Sequence, residues 1–167
     1  MRAMTEGNLK AAFAGESQAH MRYLAFADKA EKEGFPNVAR LFRAVSFAEQ
    51  AHATGHFRTL GGIGSTVENL GEAIGGENFE VEEMYPAYLA VGELQTEKSA
   101  VRSMNFALTA EKVHAAMYTE ARQSVEAGQD IALGTIYICE ICGYTVEGAA
   151  PDRCPLCNAP KEKFRAF

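Results

Sequence analysis

Apolar residues recur at helical spacing through the first three quarters of the chain. Leu9, Ala12, Phe13, Ala19, Tyr23, Phe26, Ala27 and Ala30 fall on one helical stripe, with Glu16 set into it. Gly34-Phe35-Pro36-Asn37 breaks the pattern as a C′ glycine followed by a tight turn. A second helix is predicted from about Asn37 to Leu60, stopped by Gly61-Gly62-Ile63-Gly64, with Ser65 or Thr66 as the N-cap of a third. The third is predicted over about Val67 to Ala90, weak at Gly75-Gly76 and bent at Pro86. A fourth follows from about Leu94 to Ala127 and ends at Gly128. Four long helices predict a four-helix bundle with Phe13, Phe26, Phe42, Phe47 and Phe106 in its core. From Gly134 the texture changes, and Thr135-Ile136-Tyr137-Ile138 reads as a short strand. The predicted organisation is a helical domain over residues 1–133 and a small domain over 134–167, with residues 128–138 as linker.

Composition narrows the function classes. Of 167 residues, 47% are hydrophobic and 23% charged, which predicts a folded chain rather than a disordered one. No apolar run reaches the roughly 18 residues of a membrane span, and the opening residues lack the apolar segment of a secretory signal. The net charge of −6 argues against a nucleic-acid partner, since phosphate backbones are bound by basic surfaces.

All four cysteines lie near the C-terminus, at Cys139, Cys142, Cys154 and Cys157. A disulfide framework would not leave the rest of the chain unstapled. Two Cys-x2-Cys knuckles, eleven residues apart, each aim two thiolates at one point and together make a tetrahedral four-sulfur metal site. Iron and zinc both suit such a site. Its persistence as thiolates points to a reducing compartment, the cytoplasm.

The helical part contains a repeat. Glu16 and Tyr23 precede Glu49-Gln50-Ala51-His52; Glu77 and Tyr85 precede Glu111-Lys112-Val113-His114. Glu16 to Glu49 is 33 residues and Glu77 to Glu111 is 34. Superposition pairs Glu with Glu and Glu-x2-His with Glu-x2-His. It leaves one carboxylate over, because Glu80 stands three residues after Glu77 where Ala19 follows Glu16. These glutamates sit beside or on apolar stripes with few basic residues near them. A carboxylate so placed must be paired, protonated or metal-bound. Residues i and i+3 share a helix face, so each Glu-x2-His aims two donors together. A Glu on each of two helices and Glu-x2-His on two others is a dimetal carboxylate pattern. His20, His56, Glu82 and Glu83 are read as surface or core-edge residues.

With Gly15-Glu16-Ser17-Gln18, Glu49-x2-His52, Gly76-Glu77-Asn78-x-Glu80, Met84-Tyr85-Pro86, Glu111-x2-His114, Cys139-x2-Cys142-Gly143-Tyr144 and Cys154-Pro155-x-Cys157 in place, the chain resembles a rubrerythrin over essentially its whole length. The resemblance implies a mainly α fold, a ferritin-like four-helix bundle followed by a small rubredoxin-like domain. It implies two non-haem irons in the bundle and one iron on the four cysteines. The implied roles are Glu49 and Glu111 bridging, Glu16 terminal on one iron, and Glu77 with His114 terminal on the other. His52 and Glu80 would alternate on the first iron, and Tyr23 and Tyr85 would hydrogen-bond ligand carboxylates. Gln50, Lys112 and His20 depart from the family's usual residues without removing a ligand.

The implied activity is a peroxidase of oxidative-stress defence, reducing hydrogen peroxide to water with electrons returned through the four-thiolate iron. The donor would be an NADH-linked reductase or a free rubredoxin, and Glu80 in its unbound state is the candidate proton donor. Two rivals stand beside it: a ferroxidase or iron-handling protein, and a non-enzymatic protein with zinc on the cysteines. A homodimer is expected, head-to-tail or helix-swapped. The fourth helix carries the chain about 24 Å beyond Glu111, and return through the linker uses most of its reach. The four-thiolate iron of each chain is therefore expected against the bundle of its partner.

Overall fold

The computed structural model describes all 167 residues, which divide into two compact units, Met1–Gly64 and Ser65–Phe167. The first unit is an antiparallel helical hairpin of α1 (Ala3–Lys32) and α2 (Pro36–Thr59). Pro36 opens α2, where its missing N–H costs nothing. The seam between the helices is made of small residues: Ala19, Ala27 and Ala30 from α1, and Ala39, Ser46 and Ala53 from α2. Small side chains let the backbones approach, and the fully buried Ser46 hydroxyl is satisfied by donating to the His20 carbonyl at 2.9 Å. His20 Nδ1 reaches the Ser46 carbonyl at 2.9 Å in return. Phe13 stacks on Phe57 with ring centroids 5.2 Å apart, and Tyr23, Phe26 and Phe42 form an aromatic cluster. None of the five predicted core rings is fully buried: Phe13, Phe42 and Phe106 are half-buried, and Phe26 is 47% and Phe47 70% exposed. The alanine seam occupies the space between the helices and leaves Phe26 and Phe47 on its flanks.

The second unit comprises α3 (Thr66–Phe79), a π-helical turn (Glu80–Met84), α4 (Tyr85–Leu94), α5 (Lys98–Glu126) and a three-stranded antiparallel sheet. The strands are β1 (Ile136–Cys139), β2 (Thr145–Glu147) and β3 (Phe164–Ala166), in spatial order β2-β1-β3. Of the two predicted caps, Ser65 or Thr66, it is Ser65 that caps α3, in a capping box with Glu68: the Ser65 N–H donates to the Glu68 carboxylate at 2.7 Å and the Ser65 hydroxyl accepts from the Glu68 N–H. Pro86 does not simply bend the helix as expected. It has no N–H for the Glu82 carbonyl, and the turn before it widens so that the Tyr85 N–H reaches the Glu80 carbonyl, five residues back.

The fourth predicted helix starts at Lys98, not Leu94, because α4 runs on to Leu94 and closes there. Its end is a Schellman motif: the Thr96 N–H bonds Glu93 O at 3.0 Å and the Glu97 N–H bonds Gly92 O at 2.9 Å. The same pair of bonds closes α1 at Gly34, α2 at Gly61 and α5 at Gly128, each glycine at positive φ. Only at Thr96, φ 59°, does a β-branched residue hold that position, and the left-handed region strains it. Thr96→Gly is expected to stabilise the chain by about 1 kcal/mol, read as a melting midpoint raised by roughly 2–4 °C. A midpoint that stays or falls would show the turn to be unstrained.

Candidate metal centres

Three groups of side chains bring ligand atoms within 4.8 Å of one another: Glu16, Glu49 and His52; Glu77, Glu111 and His114; and the four cysteines. The first two are the halves of the sequence repeat, one in each unit. In both, the histidine Nδ1 faces the glutamate one turn earlier on its own helix, at 3.3 Å for His52–Glu49 and 2.7 Å for His114–Glu111. The Glu on the neighbouring helix completes each group.

Without a cation these carboxylates crowd. Glu16 and Glu49 share a hydrogen bond that raises the Glu16 carboxyl and lowers that of Glu49. Burial, reinforced by the hydrogen bond and charge of Glu111, lifts Glu77 from the ordinary 4.5 to about 7. Glu77 Oε2 is buried with no hydrogen-bond partner. An orphaned buried oxygen beside a second carboxylate and an imidazole is the donor set a divalent ion would satisfy.

Glu80 lies outside the three-residue groups. Burial and then the Glu111 charge raise its carboxyl, while His114 lowers it, which places it within the field of that half-site. Tyr85 is raised by burial first and then by Glu80, Glu111 and Glu77. Its counterpart Tyr23 packs its ring on Phe26 and Phe42 at 6.2 and 6.1 Å within the hairpin. Sequence reasoning missed the π turn that carries Glu80, yet its trace was there. Glu16 to Tyr23 is seven residues and Glu77 to Tyr85 is eight. The wide turn absorbs the extra residue.

The cysteine site is built from two matching loops. Gly143 N–H bonds Cys139 O at 2.9 Å and Asn158 N–H bonds Cys154 O at 2.9 Å, and Gly143 and Asn158 both take positive φ. Cys139–Cys157 and Cys142–Cys154 sulfurs are 3.6 and 3.5 Å apart. That is too long for a disulfide and close to the ~3.8 Å edge of a tetrahedron with metal–sulfur bonds of about 2.3 Å. Burial pushes the Cys142 and Cys157 thiols up. At Cys154 burial acts the same way, but N–H groups of Cys157 and Leu156 and the thiols of Cys142 and Cys157 outweigh it and the thiol is lowered.

This module does not reach away toward another copy, as the linker argument expected. It lies on its own α5. Phe106 packs against the cysteine cluster, the Gly143 backbone approaches Ala110, and His114 Nε2 meets Thr145 Oγ1 at 2.8 Å. Those three α5 residues are four apart and share one face. His114, Met117 and Tyr118 then line an open pocket of about 220 Å3 with Ile136, Ile138 and Thr145. The linker spends its reach running back after the Gly128 turn, the competing arrangement on sequence grounds.

Comparison with known proteins agrees over both parts. The rubrerythrin family profile matches residues 7–122, and the profile of the rubrerythrin rubredoxin-like domain matches 137–165. The chain is 42% identical to rubrerythrin-2 of Clostridium acetobutylicum over 99% of its length and 97% of that protein's. It is 34% identical to nigerythrin of Nitratidesulfovibrio vulgaris, over 96% of this chain and 85% of that one. The solved structure of fully reduced, all-ferrous nigerythrin superposes with a TM-score of 0.56 at 34% identity, covering 98% of this chain and 86% of that one.

The raised Glu77 has a thermodynamic consequence in the metal-free protein. Its folded form holds a proton that the unfolded chain has released, so stability falls as pH rises from about 4.5 to about 7. Glu77→Gln is expected to flatten that segment of a denaturation-versus-pH curve and to be the more stable protein above it. An unchanged slope would mean that Glu77 is ionised in the folded state.

Proposed function

The chain belongs to the rubrerythrin family, and on that premise we propose that it reduces hydrogen peroxide to water with electrons delivered through its four-cysteine site. The ferritin-like bundle and rubredoxin-like module together provide for two irons on carboxylates and histidines and one on sulfur. The observation that carries the peroxidase reading is the 2.8 Å contact between His114 and Thr145, which sets a one-electron sulfur site directly against a dimetal half-site. A ferroxidase or an iron store has no use for such a neighbour.

Peroxide takes up two electrons and two protons and leaves as two waters. Bound ferrous ions would supply the two electrons. The chain would supply the rest: Glu16, Glu49, Glu77, Glu111 and His114 would hold the pair, with Glu49 and Glu111 as the proposed shared ligands. Glu80, its carboxyl raised first by burial and then by the Glu111 charge, stands close to the site and is the proposed proton donor to the departing oxygen. The side chain of His52 is 59% exposed, and it would be the ligand that exchanges with Glu80. Tyr85 stays protonated among Glu80, Glu111 and Glu77 and can donate to them. Reductant arrives from an NADH-linked reductase or a free rubredoxin, in the cytoplasm, where the cysteines stay reduced.

The assembly we propose is a helix-swapped homodimer. A ferritin-like bundle needs one long crossover connection. The turns at Glu33–Phe35 and Gln95–Glu97 are hairpin turns, and the remaining connection, Leu60–Ser65, is six residues. Six residues span about 20 Å, while α2, with its 24 residues, is about 36 Å long. No connection in the chain is long enough, so the crossover runs between copies: the α1–α2 hairpin of one completes the bundle of α3–α5 of the other. The exposed Val38, Leu41 and Val45, three and four residues apart along α2, are the apolar face that a second copy would cover.

Steady-state peroxide consumption with a reductase tests the activity. Cys157→Ser should let peroxide oxidise a pre-reduced bundle once and then stop; Glu82→Gln, at an exposed site, should change nothing. Full sustained turnover in Cys157→Ser would show that electrons bypass the cysteines, and stoichiometric iron oxidation without peroxide turnover would favour the iron-handling rival. Mixed dimers test the swap. Glu49→Ala and Glu111→Ala chains, each inactive alone, should recover activity when refolded together, because exchange builds one bundle from two intact halves. Verified mixed dimers that stay inactive would show that each bundle comes from one chain.

A further inference from the structure

We propose that Thr145 is a positioning residue that fixes the His114 ring and couples the cysteine site to the dimetal site; the coupling rests on the peroxidase reading above. Thr145 is only 4% exposed, at the start of β2 and paired with Ile138 of β1. A buried hydroxyl must satisfy its one proton and its lone pairs. The proton goes to the Gly143 carbonyl at 3.0 Å. Toward His114 Nε2, at 2.8 Å, the oxygen can then only accept. Nε2 therefore carries hydrogen, and Nδ1 is the nitrogen left for a metal, facing Glu111 at 2.7 Å and Glu77 at 3.9 Å. The other Glu-x2-His has no such lock: His52 meets only Glu49, through Nδ1. Of the two histidines in the repeat, one is held and one is free to move.

The same hydroxyl is the midpoint of a continuous path. It runs from the His114 ring to Thr145 Oγ1, on to the Gly143 carbonyl, and so to the residue bonded to Cys142. An electron that leaves a ferrous ion on the cysteines makes that ion ferric and reduces the dimetal pair by one equivalent. Two hydrogen bonds join the sites along this path, and both belong to Thr145.

Three variants separate the hydroxyl from the volume. Thr145→Ser keeps the oxygen, Thr145→Val keeps the shape, and Thr145→Ala keeps neither. The first readout is the His114 Nε2–H in nitrogen-15-labelled protein loaded with zinc at all sites. The second is the rate at which ferric absorbance grows on the cysteines when that iron starts reduced and the dimetal pair oxidised, without air. Native protein and Thr145→Ser should show a slowly exchanging ring proton and the same rate. Thr145→Val and Thr145→Ala should lose the protected proton and slow transfer by about tenfold or more, the usual scale for removing a partner of a ligand histidine. A protected proton in both hydroxyl-free variants overturns the positioning role. A lost proton with an unchanged rate overturns the coupling. Neither readout uses peroxide, so failure of the peroxidase reading leaves both interpretable.

Discussion

Carboxylates set into apolar helix faces repel one another, and the helical part of this chain is arranged around that repulsion. Burial and Glu111 lift the Glu77 carboxyl to about 7, and the hydrogen bond with Glu49 raises that of Glu16. Neither pair is satisfied by a lysine or arginine. Packing forces supply the closeness; the missing positive charge has to come from outside the chain. The family to which the chain belongs places iron there, and the orphaned Glu77 oxygen marks where the need is greatest.

The repeat made this half of the structure legible from residues alone. Two Glu-x2-His pairs, each matched with a distant Glu, converge in space as their spacing predicts. The cysteine spacing was equally sufficient, since each knuckle is closed locally by its own positive-φ residue, Gly143 or Asn158. Local chemistry of this kind survives translation from sequence to structure because few residues decide it.

Other features depended on signals that sequence rules do not weigh. The break before α5 was misplaced because glycine is the expected stop sign and Thr96 takes its place. The one-residue excess in the second repeat was visible as 34 against 33. It acquired a meaning only through the π turn at Glu80–Met84, which takes up one residue and keeps Tyr85 in the phase of Tyr23. The flanking of Phe26 and Phe47 followed from a competition that periodicity cannot judge, because alanines and large rings fall on neighbouring stripes. The alanines win the seam, as closer backbones bury more total surface.

The placement of the cysteine module was the largest departure, and its cause lies on one face of α5. Arg102 lies over the Phe106 ring at 5.1 Å, Phe106 packs on the cysteine cluster, Ala110 admits the Gly143 backbone, and His114 bonds Thr145. These four residues are spaced by one helical turn each. A chain-length argument treats the linker as a tether and asks only how far it reaches. It gives no weight to a helix face already shaped for the module, with a small residue where a backbone must come close and a polar one where a hydroxyl waits. That face also joins the two chemistries of the protein. A module bound to it must bring its sulfur site to His114, so on the proposed function docking and electron delivery would be a single structural requirement, and a substitution at Ala110 that lifts the module by the width of a side chain would break both together.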